Sequence, residues 1–342
     1  MNHATTAPVL FEPLAAWHAA GTDPEALARA VTDAPPVAQP ELLGEAPQQP
    51  IPVLSDPALD GQGYAARMDR LVADSAPRLS ERLTAAPPAA AVVIPPGPHQ
   101  PGVRWAQHHW LIGQLTDRVS PLRRVAWWRP QGPVSAVQLL HRAAQAVAEG
   151  RLASLLIGGV DPCAAPAACA DPRLRRRCLP AIDGPPAADG AAFLLLRTAP
   201  AGSAGLLLQR AALGGPSEQP ATWQRLLQET VPEADAAGAL VEAHGFGATP
   251  AERQAWANVR RLVPALRRTP AAARHLLWRG LGFSGAATLP LQLVAAAGLL
   301  HAAEGPQRIL LTAAGDGVAG VFDLRKPAES TVGGGASSGG AA

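Results

Sequence analysis

The chain of 342 residues is long enough for one large duplicated domain or two smaller ones, so burial of a core does not limit its fold. Only 16% of its residues are charged and its formal net charge is +2, which gives no electrostatic case for a nucleic-acid or membrane-surface partner. The N-terminus lacks a secretion-signal pattern, and no apolar run approaches the ~18 residues of a membrane span, so we expect a cytoplasmic protein without membrane contact.

The first half of the chain alternates proline-rich breaks with regular elements. Prolines are frequent from 34 to 59, which predicts an extended loop there. Apolar residues at helical spacing predict a helix within 63–85, and "AAVVI" at 90–94 predicts a short buried strand. A further strand is predicted at 125–130, where the sequence reads "VAWWRP".

All three cysteines lie in one stretch that we expect to be a loop, and we expect the strand before it to lead away from the candidate site. They are Cys163, Cys169 and Cys178, an odd number without a secretion signal, which argues against a disulfide framework. Their spacings of six and nine do not fit the short spacing of zinc-ligand pairs, so we expect no metal and no cofactor. The basic run 173–177 in the same loop is expected to be solvated.

An internal echo is the most informative feature of the sequence. The segments 146–159 and 301–314 align without gaps at an offset of 155 residues, with five identical positions. Each copy predicts an alanine-rich helix, a capping glycine (Gly150 or Gly305) and a buried strand. Because such apolar strands need cover on both faces, the sequence predicts a duplicated α/β fold stacked in α/β/α/β/α layers.

Several motifs resemble those of β-ketoacyl synthases, whose thiolase fold is itself a duplicated α/β unit. The segment 133–161 resembles the helix and strand after the synthase nucleophile, and "DGPPAADGAAFLLL" at 183–196 resembles "DGFIPGEGAAFLLL". "VEAHGFGAT" at 241–249 is similar to "VEAHGTGT", "LGFSGAAT" at 281–288 to "GHxxGAAG", and "RMDR" at 67–70 to an early synthase helix.

The resemblance implies how the chain is organised. It is strong from about 133 to 324 and implies one thiolase-like domain over 1–330. The two pseudo-repeated halves are expected at about 1–212 and 213–330. A glycine- and serine-rich flexible tail is expected at 331–342.

The resemblance also places the synthase chemistry, which needs a thiolate nucleophile and two histidines. These positions fall on Pro133, His244 and Gly282. Proline and glycine supply neither a nucleophile nor a side-chain donor, so His244 alone remains as a weak catalytic candidate. We therefore expect a pseudoenzyme.

Ser135 is the hydroxyl nearest to the nucleophile position. A serine at a helix start can be activated by a neighbouring base. However, Ser135 followed by Gln138 is the pattern of a capping box, and we expect Ser135 to open the helix instead. Thr249, Pro250 and Glu252 form a similar helix-start pattern after His244.

The main hypothesis is a non-catalytic synthase homologue that acts through protein contacts. Thiolase-fold proteins form dimers through their first half, so the resemblance implies a homodimer or a heterodimer with an active ketosynthase. The role would be that of a chain-length factor, with an acyl carrier protein as a further partner.

Two alternatives stay open. The R-x-x-W pattern at Arg253 and Trp256 is similar to synthase-like proteins encoded near type VI secretion components, which would make the chain an adaptor or chaperone for a secretion effector. The second alternative is an acyl-thioester transferase with a rewired site, in which His244 and Ser135 act on a thioester.

Overall fold

The computed structural model describes most of the chain. The described residues are 8–32, 39–41, 51–96, 104–128, 135–178, 184–199, 205–231, 240–246, 250–262, 266–267, 274–275, 277–315 and 317–327. Pro133 and the predicted tail at 331–342 lie outside them.

Strands and helices alternate along the described residues. The strands are β1 (Val9–His18), β2 (Gln39–Glu41), β3 (Ile51–Leu54), β4 (Ala90–Val93), β5 (Ala126–Trp127), β6 (Ser154–Pro162), β7 (Ala187–Thr198), β8 (Leu206–Gly214), β9 (Leu240–Phe246), β10 (Arg274–His275), β11 (Arg308–Gly315) and β12 (Val318–Arg325). The helices are α1 (Pro24–Thr32), α2 (Tyr64–Ala85), α3 (Arg104–Arg118), α4 (Ala136–Ala148), α5 (Pro166–Cys169), α6 (Pro172–Cys178), α7 (Pro220–Thr230), α8 (Pro250–Leu262), α9 (Leu277–Leu281) and α10 (Thr288–His301).

The same strand topology occurs in both halves of the sheet. The main strand order is β10-β9-β11-β12-β8-β1-β7-β6-β4-β5. In the first half β4 is parallel to β5 and β6, and β7 is antiparallel to β6 and β1. In the second half β9 is parallel to β10 and β11, and β12 is antiparallel to β11 and β8. The predicted duplication is confirmed, and the two halves meet where β1 pairs with β8 at 9–11. The predicted division at 212/213 falls within β8 and stays a prediction.

Alternate strand residues enter different apolar clusters, because successive side chains of a strand point to opposite faces. Leu155 joins an inner cluster with α4 and α10, whereas Leu156 joins an outer cluster with α2 and α3. In the second half Leu311 joins the same inner cluster, and Leu310 packs with α7 and α8. Helices therefore lie between the half-sheets and outside each, which produces the predicted five layers.

The gapless alignment of the echo is wrong in register, although its elements are right. It pairs Leu155 with Leu310, which face the inner and outer clusters respectively. Five residues separate α4 from β6, whereas six separate α10 from β11. A register shift of one residue moves every side chain of a strand to the opposite face, so the extra loop residue changes which strand residues correspond. Gly150 follows α4 closely with φ +70°, but α10 ends at His301, four residues before Gly305.

Three further predictions need correction. The stretch 34–59, predicted as an extended loop, contains the strands β2 and β3. The cysteine stretch is not a loop, because it folds into α5 and α6, which begin at Pro166 and Pro172. The basic run 173–177 therefore lies on α6. The strand predicted at 125–130 is reduced to the two residues of β5. Helix α2 and strand β4 form as predicted.

Candidate functional site

Ser135 is the N-cap of helix α4 and lies two residues after Pro133, where the resemblance placed the nucleophile. The Ser135 hydroxyl oxygen accepts a hydrogen bond from the Gln138 N–H at 3.2 Å, and the Ser135 N–H donates to Gln138 Oε1 at 3.2 Å. This is the predicted capping box, and it is confirmed. The hydroxyl is buried and engaged with the helix start, so its geometry is that of a cap.

The start of α4 converges with the strand that carries His244. Val137 packs directly on Gly320, where a Cβ would collide with the valine. Gly320 pairs with Ala313 on β11, and Ala313 pairs with Gly245 on β9, one residue after His244. The start of α4 therefore packs on β12, and β11 lies between β12 and the strand that carries His244. The side chain of His244 lies outside the described part of the structure.

A side chain at Gly282, where the resemblance placed the second histidine, would be strained and crowded. Its φ is +64°, a left-handed conformation that L side chains rarely adopt. A Cβ there would lie 2.6 Å from the carbonyl oxygen of Pro186, 3.0 Å from Ala188 Cβ and 3.3 Å from Leu54 Cδ1. The space beside the Gly282 Cα is filled by other parts of the chain.

A short backbone bridge holds the loop in this position. The Phe283 N–H donates to Pro186 O at 2.7 Å, and the Ala188 N–H donates to Phe283 O at 2.9 Å. Strand β3 pairs in parallel with the same start of β7, at Ala187 and Ala188. Gly282 is therefore clamped against the first residues of β7.

His18 fixes the residue that precedes Gly282. Its Nε2 lies 2.9 Å from Leu281 O, and its Nδ1 accepts the Ala20 N–H at 3.0 Å. Because Nδ1 accepts, Nε2 carries the proton and donates to Leu281. Burial lowers the pKa of His18 to about 4, against the opposing effect of the bond to Leu281, so the imidazole is neutral. Sequence analysis missed this residue, because nothing local marks it.

The RMDR motif and the "DGAAFLLL" strand meet in a buried ion pair. Arg67 Nη1 lies 2.6 Å from Asp189 Oδ2, and both side chains are almost fully buried. The Ser55 hydroxyl and the Ala164 N–H also donate to this carboxylate, at 2.8 and 3.0 Å. Burial raises the pKa of Asp189, and Arg67, Ser55 and Ala164 oppose that rise. Because the carboxylate of Asp189 is fully hydrogen-bonded, the ion pair stabilises the contact between α2 and the start of β7.

Asp161 ties the glycine-rich loop to α2. It accepts hydrogen bonds from the Tyr64 hydroxyl at 2.8 Å and from the Ala286 N–H at 3.1 Å. Burial and the Asp161 charge raise the pKa of Tyr64 well above its usual value, so it remains a donor. Gly285 packs on the same carboxylate, and a Cβ there would collide with it. The glycine is thus required for packing.

Cys163 lies closer to this loop than predicted. Its Sγ is 3.0 Å from the place of a Gly285 Cβ, so the expectation that the cysteine stretch leads away from the site is wrong for Cys163. Burial and then the Asp161 charge raise the pKa of Cys163 well above its usual value. Burial raises the pKa of Cys178 to about 12. Both thiols stay protonated at neutral pH and are poor nucleophiles.

Among the described residues, no set of three or more His, Cys, Asp or Glu side chains is arranged to hold a metal ion. In the same part of the chain, no helix has the length and apolar character needed to span a membrane.

The tryptophan of the R-x-x-W pattern is a packing residue. Helix α8 starts at Pro250, as predicted, and Thr249 lies outside the described residues. Trp256 is buried and meets Trp223 of α7 edge to face, with ring centroids 5.4 Å apart. The ring is therefore unavailable as an exposed contact for an effector.

Comparison with known proteins places the fold. No family model and no curated protein matches the sequence. The ishigamide ketosynthase/chain length factor is similar over 94% of this chain and 100% of that chain, at 20% identity and TM-score 0.66. The ketosynthase ApeO in complex with its chain length factor ApeC from Xenorhabdus doucetiae matches over 95% and 100%, at 10% identity and TM-score 0.64.

A third similar structure is the AntDE:AntF complex, a type II polyketide acyl-carrier protein with its ketosynthase. It covers 94% of this chain and 99% of that chain, at 11% identity and TM-score 0.64. The chain therefore has the mixed α/β, thiolase-like fold of ketosynthases, as its motifs predicted. At these identities the likeness concerns the fold alone.

Proposed function

We propose that this chain is a non-catalytic ketosynthase homologue that acts as a protein-binding subunit beside an active ketosynthase, in the manner of a chain length factor. The observation that carries the proposal is the filled space at Gly282, where a Cβ would lie 2.6 Å from a backbone oxygen. A histidine there would require the start of β7 to move.

The chemistry of condensation lacks its other groups as well. The acyl chain must be held by an activated nucleophile while donors stabilise the oxyanion. The three cysteines, Cys163, Cys169 and Cys178, are all fully buried. Ser135 caps α4. His244 alone supplies neither a nucleophile nor a second donor, which speaks against the rewired transferase.

A partner surface is available at the edge of the first half-sheet. Strand β5 ends the strand order, and its outer edge pairs with no described strand. Trp127 is half-exposed there, and Trp110 on α3, the helix before β5 in the chain, is 37% exposed. Unpaired strand edges and exposed aromatic rings are typical of surfaces that bind another chain. This edge would receive the ketosynthase, or a second copy of this chain.

Partner capture tests the proposal. The tagged chain is expressed in its native host and recovered with its bound proteins, which are identified by mass spectrometry. We expect a cysteine-bearing ketosynthase, together with an acyl carrier protein, because ketosynthases with these partners have the same fold.

Two variants sharpen the experiment. Trp110→Glu should abolish recovery of the ketosynthase, because it places a charge in the contact. Thr84→Glu, an exposed change at the end of α2, should leave recovery unchanged. Recovery of a secretion effector without a ketosynthase would contradict the proposal and favour the adaptor alternative.

A further inference from the structure

One edge of β1 is only partly covered by strands. Strand β7 pairs with the whole of β1, whereas β8 pairs with the opposite edge only at 9–11. From 12 to 17 that outer edge pairs with no strand in the described part of the chain. The outward N–H and C=O groups of this stretch need other partners.

The register identifies these outward groups. The Phe11 carbonyl faces the β8 side, because it lies 2.6 Å from the place of a Gly205 Cβ. At the other end, His18 exchanges two backbone hydrogen bonds with Gly21, at 3.1 and 2.9 Å. The backbone groups of successive strand residues face opposite edges, and the irregularity between Pro13 and Ala15 shifts this alternation by one residue. The Pro13 C=O and both backbone groups of Ala16 therefore face outward.

These three groups form no hydrogen bond with any described residue. Ala16 is only 5% exposed, so its N–H and C=O are buried groups without a protein partner in the described chain. Buried backbone groups are almost always paired, with protein or with a ligand or water.

Two adjoining cavities run along this edge. Their volumes are about 770 and 530 Å³, and both are lined by Pro13, Asp23, Pro24 and Arg82. Five consecutive residues of β1, from 12 to 16, line the pair. Since side chains alternate between faces, consecutive strand residues line one groove only if their backbone edge faces it. Helices α1, α2 and α10 form the other walls.

We propose that this groove binds an extended peptide segment of a partner protein, which adds as a short strand to the open edge of β1. The edge from 12 to 16 is five residues long, about 16 Å at ~3.3 Å per residue, and the cavities follow it throughout. A peptide C=O would accept the Ala16 N–H, and peptide N–H groups would donate to Ala16 O and Pro13 O.

Asp23 and Arg82 are the charged groups that both cavities share, whereas Glu12 and Glu25 of the first cavity are paired with Arg197 and Arg29. Glu81 lines the second cavity alone. Asp23 Oδ1 caps α1 by accepting the Ala26 N–H at 2.8 Å. Arg82 forms no ion pair with a described residue, and its guanidinium is exposed at the groove. A carboxylate is the natural partner for that guanidinium. The proposal is independent of the ketosynthase-like role.

Amide hydrogen exchange tests the open edge directly. In the full chain without peptide, the Ala16 amide should exchange at least tenfold faster than the Trp17 amide, which faces β7. If the Ala16 amide is as protected as that of Trp17, another part of the chain already covers the edge, and the proposal is wrong.

A random heptapeptide phage library, panned against the full chain, tests the occupant. Enriched peptides should contain an acidic residue and should slow the exchange of the Ala16 amide. Ala85→Trp, which fills the second cavity, should weaken their binding at least tenfold, whereas Ala86→Trp beside it should not. Both positions are exposed, so the fold should tolerate either change, and thermal melting checks this.

The chemistry of recognition has its own controls. Arg82→Glu should weaken binding of the acidic peptides at least tenfold, as should N-methylation of the peptide amide that pairs with the edge. Peptides that bind equally after N-methylation, or that bind the Ala85→Trp variant as well as the natural chain, would overturn strand addition. Absence of any enriched peptide would overturn it as well. None of these failures bears on partner capture by the β5 edge.

Discussion

Replacing Gly282 by alanine should lower the free energy of unfolding by about 3 kcal/mol. A left-handed backbone costs roughly 1–2 kcal/mol once the residue carries a Cβ, and φ is +64° here. The added Cβ would also lie 2.6 Å from Pro186 O, roughly 0.7 Å closer than an ordinary C···O contact. Relieving that overlap by moving the start of β7 adds about 1–3 kcal/mol.

Urea unfolding followed by circular dichroism measures this change. Gly113→Ala is the matched control, because Gly113 is an exposed residue of α3 with nothing within 4 Å of its Cβ position. That control should stabilise the chain by roughly 0.5–1 kcal/mol, the usual difference between glycine and alanine in a helix. If Gly282→Ala changes the free energy by less than about 0.5 kcal/mol, the space at this position is open. The chain would then have room for a side chain at this position, against the proposed loss of catalysis.

Three further predictions concern buried groups. The pKa of His18 is lowered to about 4 in the folded chain, so the unfolded chain binds more protons between about pH 6.5 and 4. The free energy of unfolding therefore decreases as the pH is lowered through that window. By pH 5 the loss is about 2 kcal/mol. His18→Gln should remove it, and a stability difference between the two chains that is constant from pH 7 to 5 would contradict this. Arg67→Met should cost about 3–5 kcal/mol in denaturant unfolding, because it leaves the buried Asp189 without its cation. Arg70→Met, which breaks an exposed pair, should have a far smaller effect. Equal effects would refute a buried network. A thiol reagent at pH 7 should leave all the cysteines unmodified until denaturant is added; rapid labelling of the native chain, read by mass, would show a reactive thiolate.

Much of the architecture follows from periodicity in the sequence. The apolar spacing of α2 and the continuous apolar run of β6 are local signals, and each predicted the right element. The glycines of the synthase-like motifs were also interpretable, because Gly285 is where backbone and a carboxylate approach too closely for a Cβ.

Register and distant contacts were not predictable in the same way. The echo gave the repeated helix and strand but not the extra loop residue, and that one residue decides which face Leu310 presents. Arg67 and Asp189 are 122 residues apart, so only the folded chain joins them. His18 is likewise defined by a contact with Leu281. The short helix α6 was missed because its arginines and flanking proline resemble a solvated loop.

The central claim is that this chain cannot carry an acyl group. The most direct test is the intact mass of the purified chain after incubation with malonyl and acyl thioesters, alone and with its captured ketosynthase. We predict an unchanged mass for this chain and an acyl adduct on the ketosynthase alone. A stoichiometric adduct on this chain that disappears on substitution of one residue would contradict the account.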